Sequence, residues 1–318
     1  MKRLRMMLLA VLLLFAACTG CAETYQKEEN TGRDKDTHPW LIRTPSAVWH
    51  LAKSDIELLG EEAYFEGLYK ALENMEADFA DAREALKGYI PDEIPPVDIY
   101  TDFCNKARFS ETSGAVYRKL GNYIKVFFGW DAAGSELQHE YVHYLSMNCA
   151  ENAASSGFWG EGIADYVTRY ICKNRLLRAV YKEADLSAEP PEKVAQVRDP
   201  EDGCLDPRLL HIGNARTYVL GKVTGQKYKA VNQTIIIRTE EIQNEPDPEE
   251  LSYEEASGMV AYLVETFGRD TVFGNWNLDT DKMETVFGKP YAELYRDWAA
   301  WNEEQCRELG FTFSDSAT

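Results

Sequence analysis

The sequence predicts an α+β protein, with a small sheet and a central helix in an amino-terminal lobe, residues 41–148, and a mainly helical carboxy-terminal lobe, residues 149–318. Three observations carry this expectation. Short alternating segments rich in β-branched and aromatic residues gather before residue 130: Val97-Asp98-Ile99-Tyr100, Ala115 to Lys119 and Tyr123 to Phe128. Tyr64, Leu68, Leu72, Met75, Phe79, Ala82 and Leu86 recur every three or four residues, the stripe of a long amphipathic helix that stops at Gly88. Beyond Glu161 the pattern is mainly helical, most clearly in Tyr253 to Phe267 and Tyr291 to Leu309, the latter with Leu294, Tyr295, Trp298 and Trp301 on one apolar face.

The chain opens with Met1-Lys2-Arg3-Leu4-Arg5, a basic stretch, followed by an apolar run from Met6 to Ala17. That run is too short to span a bilayer and has the length of a secretory leader, so residues 1–17 read as a signal peptide. Phe15-Ala16-Ala17-Cys18 resembles a bacterial lipobox, which implies lipidation at Cys18; Cys21 is a second option, and an ordinary cleaved leader a third. Each reading sends the protein out of the cytoplasm, either lipid-anchored on the membrane's outer side or secreted. Residues 18–40 are polar without an apolar period and are expected to form a flexible tether.

The formal net charge of −19 becomes −22 once Lys2, Arg3 and Arg5 leave with the leader. Such acidity repels phosphate backbones and anionic headgroups, which excludes nucleic acid as a partner and leaves lipid as the means of membrane attachment. The remaining cysteines, Cys104, Cys149, Cys172, Cys204 and Cys306, are widely spaced and lack a C-x-x-C pair, so isolated disulfides and buried thiols are both open. Ala115 to Lys119 and Tyr123 to Phe128 form a hairpin joined around Gly121-Asn122. Residues 185 to 215, with four prolines among acids, read as an irregular excursion, and Ile235-Ile236-Ile237 fits a short strand or a buried turn alike.

The chemistry concentrates in His139-Glu140-Tyr141-Val142-His143. Two histidines four apart share one helical face and can converge on a single ion, while Glu140 is placed to reach a water on that ion as a general base. Leu137, Tyr141, Tyr144 and Leu145 supply the buried stripe of the same helix. Hydrolytic zinc takes three protein ligands and keeps one open position. Glu161, on a helix expected to start after Ser155-Ser156-Gly157, is the natural third ligand. Asp165, one turn on, is suited to bond the far ring nitrogen of a histidine ligand.

H-E-x-x-H followed after seventeen intervening residues by E-x-x-x-D resembles the gluzincins, Trp159 to Tyr166 is similar to the aminopeptidase N-like and related peptidase branches, and the last helix, with Tyr291-Ala292-Glu293-Leu294 and Trp298, resembles the ending of small bacterial members. The resemblance spans roughly residues 120 to 300. It implies a zincin-like fold holding one Zn2+ and acting on peptide or protein substrates. It also implies an oxyanion-binding tyrosine in Ser252 to Gly258, hence Tyr253, with His211 and Tyr218 as rivals. Gluzincins further use an edge strand above the active-site helix to pair with substrate, for which Asn122 to Phe128, with Lys125, Val126 and Phe127, is the candidate beside a plain core hairpin. The G-x-M-E-N loop of aminopeptidases is absent from Tyr123 to Trp130, which favours an endopeptidase. The alternative is a non-catalytic surface lipoprotein that binds peptide or glycan; the intact Glu140, Glu161 and Asp165 speak against it.

Overall fold

A computed structural model describes residues 25–104, 114–127, 129–130, 134–149, 157–173 and 253–308. These form an α+β structure with one mixed sheet. In chain order the strands are β1 (Lys27–Glu29), β2 (Trp40–Arg43), β3 (Ala47–Leu51), β4 (Val97–Thr101), β5 (Ala115–Arg118) and β6 (Tyr123–Val126). They lie side by side as β1-β2-β3-β4-β6-β5, with β3/β4 and β4/β6 parallel and the other neighbours antiparallel. Between β3 and β4 run α1 (Lys53–Leu59) and α2 (Glu61–Ala85), the crossover that a parallel pair requires.

The predicted stripe of α2 is buried throughout, from Tyr64 to Ala82, against the sheet residues Ile42, Trp49, Ile99 and Ile124. On it lies α3 (Gly134–Met147), which carries the histidine motif. Phe79 stacks on Tyr141 with ring centroids 4.2 Å apart, and Arg83 Nε donates to the Tyr141 hydroxyl at 2.6 Å. Gln138 donates to the Asp78 carbonyl at 2.6 Å, and Tyr144 to that of Pro95 at 2.8 Å. Apolar burial presses α3 onto α2, and these directed bonds fix its rotation.

The later helices are α4 (Gly157–Asp165), continued as a π-helical turn over Tyr166–Ile171, then α5 (Tyr253–Phe267), α6 (Arg269–Phe273), α7 (Thr280–Phe287) and α8 (Tyr291–Glu308). Their buried residues join those of the sheet half in one continuous cluster. Among the described residues no helix is long and apolar enough to cross a membrane. Cys104, Cys149 and Cys172 are free thiols. Residues 1–24 with Cys18 and Cys21, residues 185–215, His211, Tyr218 and Ile235-Ile236-Ile237 lie outside the described residues.

Two expectations need correction. The tether cannot run to residue 40, because residues 27–29 pair with β2 and Asn30 is buried. Asn30 Nδ2 donates to the His38 carbonyl at 2.7 Å and its Oδ1 accepts from Gly32 N–H at 2.8 Å, closing the loop between β1 and β2. Lys27 lies over the Trp40 and Phe65 rings and pairs with Glu61 at 2.8 Å. An edge strand held mainly through its backbone carries no apolar alternation, hence its polar sequence. The second correction concerns Lys125, Val126 and Phe127. β6 is an interior strand, paired on both sides, with Ile124 and Val126 turned into the core, so Lys125 and Val126 offer no open edge and Phe127 directly follows them; the edge on that side is β5. The hairpin was legible, but nothing local told which of its arms would meet β4.

The loop before β2 is latched to the sheet by His50, whose Nδ1 faces Asp34 at 2.8 Å and whose Nε2 faces Asp98 at 3.1 Å. A neutral imidazole has one N–H, so two carboxylate partners require the charged ring. Burial opposes that charge, but hydrogen bonds to Asp98 and Asp34 and their negative charges push His50 above the usual range. Tyr100 stacks on it at 4.1 Å and His38 meets it edge-on. With the folded value above an unfolded value of about 6.5, the stabilisation is complete below that pH and is lost as pH rises through the folded value. Thermal melts of wild type and His50→Gln should differ most at mildly acidic pH and converge in alkali; a pH-independent difference would refute the latch.

Candidate metal centre

α3 and α4 cross so that His139, His143 and Glu161 meet. His139 Nε2 lies 3.0 Å from His143 Nε2 and 2.9 Å from Glu161 Oε2, and His143 Nε2 lies 3.1 Å from the same oxygen. The three atoms form a nearly equilateral triangle. Ligands about 2.0–2.1 Å from a tetrahedral ion stand roughly 3.3 Å apart, so the set fits a small divalent cation. The donor chemistry agrees. Asp165 Oδ1 sits 2.8 Å from His139 Nδ1 and holds the proton there, which turns the lone pair of Nε2 into the triangle.

Two imidazole nitrogens and a carboxylate this close repel unless something positive lies among them. Without an ion a proton takes that place: burial opposes charge on His139, yet its bonds to Asp165 and Glu161 push it well above the ordinary imidazole range. Burial likewise raises Glu161, but the two imidazoles hold its carboxyl far below the usual carboxylate range. Protons and metal thus compete for one position.

Glu140 is on the same helix but outside the triangle. Burial raises its carboxyl above the usual range, with the two imidazoles and one backbone bond pulling the other way. That bond comes from Tyr117 N–H on β5, 2.5 Å from Glu140 Oε2. The neighbouring turn repeats the arrangement, since Glu136 Oε2 accepts from Gly114 N–H and, at 3.2 Å, from Ala115 N–H. Phe127 N–H donates to the Gly114 carbonyl at 2.8 Å, so within the hairpin Ala115 and Tyr117 point their amide groups away from β6. Their N–H groups are taken by the two glutamates. Their carbonyls have no partner among the described residues. The Tyr117 ring lies nearly parallel to that of His143, with centroids 6.5 Å apart.

Sequence reasoning missed Glu136 and Arg169. The first lies four residues before Glu140, and the second four after Asp165, with Arg169 Nε 3.1 Å from Asp165 Oδ2. Spacing alone offered a signal, a four-residue ladder on each helix face, but such ladders are common on solvated helices. Tyr253 opens α5; its side chain lies outside the described residues. Compared with known proteins, the chain matches no protein-family profile, no curated sequence and no solved structure.

α4 is seated against α5 at very short range. A Cβ on Gly162 would lie 2.8 Å from the Ala256 carbonyl oxygen and 3.0 Å from its carbon, both backbone atoms that cannot yield locally. Trp159, fully buried, donates to the Asn275 carbonyl at 3.0 Å. Glu161 is therefore held at its height by the residue that follows it. Gly162→Ala should cost about 1–3 kcal/mol in denaturant unfolding, the usual range for overpacking, and weaken metal binding; a variant of wild-type stability would show that the two helices can part freely.

Proposed function

We propose that this protein is a zinc-dependent peptidase of gluzincin type, hydrolysing peptide bonds with Glu140 as general base, and an endopeptidase in preference to an aminopeptidase. The observation that carries the reading is the triangle of His139, His143 and Glu161 with a half-buried carboxylate, Glu140, one helical position away. A structural ion has no use for that base, and four-coordinate structural sites are closed by a fourth protein ligand.

Zinc, when bound, lowers the pKa of a water toward ~7 and polarises the scissile carbonyl. The remaining work belongs to the chain. Glu140, anchored at Oε2 by Tyr117 N–H, takes the proton of the attacking water and delivers it to the leaving amine; its raised affinity for a proton suits both steps. Asp165 keeps His139 in the tautomer that presents Nε2. An extended substrate pairs with the outward carbonyls of Ala115 and Tyr117 on β5. Tyr253 is proposed to donate to the negative charge developing on the carbonyl oxygen. The leader and Phe15-Ala16-Ala17-Cys18 support an extracytoplasmic enzyme held to the membrane by lipid on Cys18, or on Cys21.

Purified wild-type protein should contain one zinc per chain and cleave an unfolded protein substrate such as casein. Glu140→Gln should keep the metal and lose turnover, whereas Glu161→Ala should lose metal as well. Full zinc occupancy in His139→Ala/His143→Ala sinks the reading. In the same assay Tyr253→Phe should lower kcat by roughly 10²–10³ with KM little changed, as for other oxyanion donors; normal kcat would transfer the role to another donor.

A further inference from the structure

We propose that Arg169 is a positioning residue of the metal centre, pairing with Asp165 so that this carboxylate holds His139 toward the ion; the inference rests on the metal reading above. The two oxygens of Asp165 face different partners. Oδ1 lies 2.8 Å from His139 Nδ1 and Oδ2 lies 3.1 Å from Arg169 Nε. The Asp165 side chain is 5% exposed and that of Arg169 13%, so this is a buried chain of contacts running from guanidinium to carboxylate to imidazole to the triangle.

Stability does not explain such a pair. An aspartate and an arginine four apart on a helix usually sit in water, where the interaction is weak. Once buried, two charges lose their hydration, and apolar residues of similar volume often serve the fold as well or better. What an apolar pair cannot do is present a carboxylate to His139. An ionised Asp165 buried against a neutral imidazole alone would be an uncompensated charge. Arg169 supplies the compensation as an ion pair, Nε standing 3.1 Å from Oδ2 without the geometry of a hydrogen bond.

The helix itself is adapted to this. In an α-helix each four-residue step drifts about 40° around the axis, so Glu161, Asp165 and a third residue at the same interval would wind away from α3. After Asp165 the helix widens into the π-turn Tyr166–Ile171, closed by Cys172 N–H on the Val167 carbonyl at 2.9 Å. More residues per turn means less rotation per residue, which counters the drift and keeps Arg169 on the face of Asp165. π-turns within α-helices frequently mark functional positions.

The test is zinc affinity, measured by chelator competition on the metal-free full-length protein, with visible absorption of the cobalt-substituted form and metal-free thermal melts alongside. Arg169→Met should weaken zinc about 10–100-fold, the usual loss when the partner of a histidine ligand is disturbed, and alter the cobalt spectrum, with the metal-free melt lowered as one partner of a buried pair is removed. Arg169→Lys should recover part of the loss. Asp165→Asn/Arg169→Met should bind no more weakly than Asp165→Asn alone, because the arginine acts through the aspartate. Zinc affinity of Arg169→Met within about threefold of wild type, with Asp165→Asn clearly weakened, overturns the proposal and leaves the metal reading standing. Wild-type protein that binds no zinc overturns both. Should Arg169→Met fail to fold, Arg169→Gln carries the same comparison, and unchanged affinity there overturns the proposal equally.

Discussion

Three electron-pair donors within about 3 Å of one another are the constraint to which the neighbouring structure answers. Such a cluster is unstable by itself, so the fold must resist its tendency to spread. Resistance comes from both helices that carry it. α3 is fixed in rotation by Arg83, Asp78 and Pro95, which bond to its own side chains, and α4 is fixed in height by the close approach of Gly162 to the Ala256 backbone and by the bond of Trp159 to Asn275. A triangle assembled from two elements far apart in sequence depends on this tertiary stiffness more than on any local propensity. The same stiffness is what preorganises ligands for an ion instead of letting each hydrate separately.

The sheet enters the site through its edge. β5 is short and, among the described residues, has no strand on its outer side, a situation that proteins manage by covering or occupying the open amide groups. Here the covering is chemical: Glu136 and Glu140, one turn apart, take the N–H groups of β5 and leave carbonyls outward. One contact thereby blunts the edge against self-association and fixes the carboxylate proposed as the base. It also limits how a peptide can add to the sheet, since only donors are accepted where Ala115 and Tyr117 face out.

The parts of this structure that were legible in sequence share one property, that their signal is local. The apolar period of α2, the bounds of α5 and α8, the hairpin around Gly121-Asn122 and the histidine spacing are each set by residues within a few turns of one another. What was illegible depends on partners far along the chain. β1 is polar because its main-chain bonds to β2, and not its own side chains, make it a strand. β2 and β3 bury Ile42, Trp49 and Leu51, but the four residues of β2 are too few to establish a period. The exchange of β5 and β6 at the sheet edge is a matter of topology, and Glu136 and Arg169 look like ordinary charges on solvated helices until the fold buries the surfaces they occupy.

Drawing so many carboxylates together, one buried and three half-buried, is costly in a protein this acidic, because each charge taken from water needs a partner of its own. The site meets the requirement by giving each carboxylate a different one. Glu136 is solvated by the Gly114 and Ala115 amides, Glu140 by that of Tyr117, Asp165 by Arg169 and the His139 N–H, and Glu161 by the two imidazoles. Two of these arrangements carry the proposed chemistry. Glu140 has a single backbone donor and a buried environment that favours taking a proton, while Glu161 shares its oxygen with nitrogens whose lone pairs call for a cation. Burial raises Glu136 as it raises Glu140, so what sets the proposed base apart is its place, directly after the proposed ligand His139, while Glu136 lies one turn earlier on the same helix.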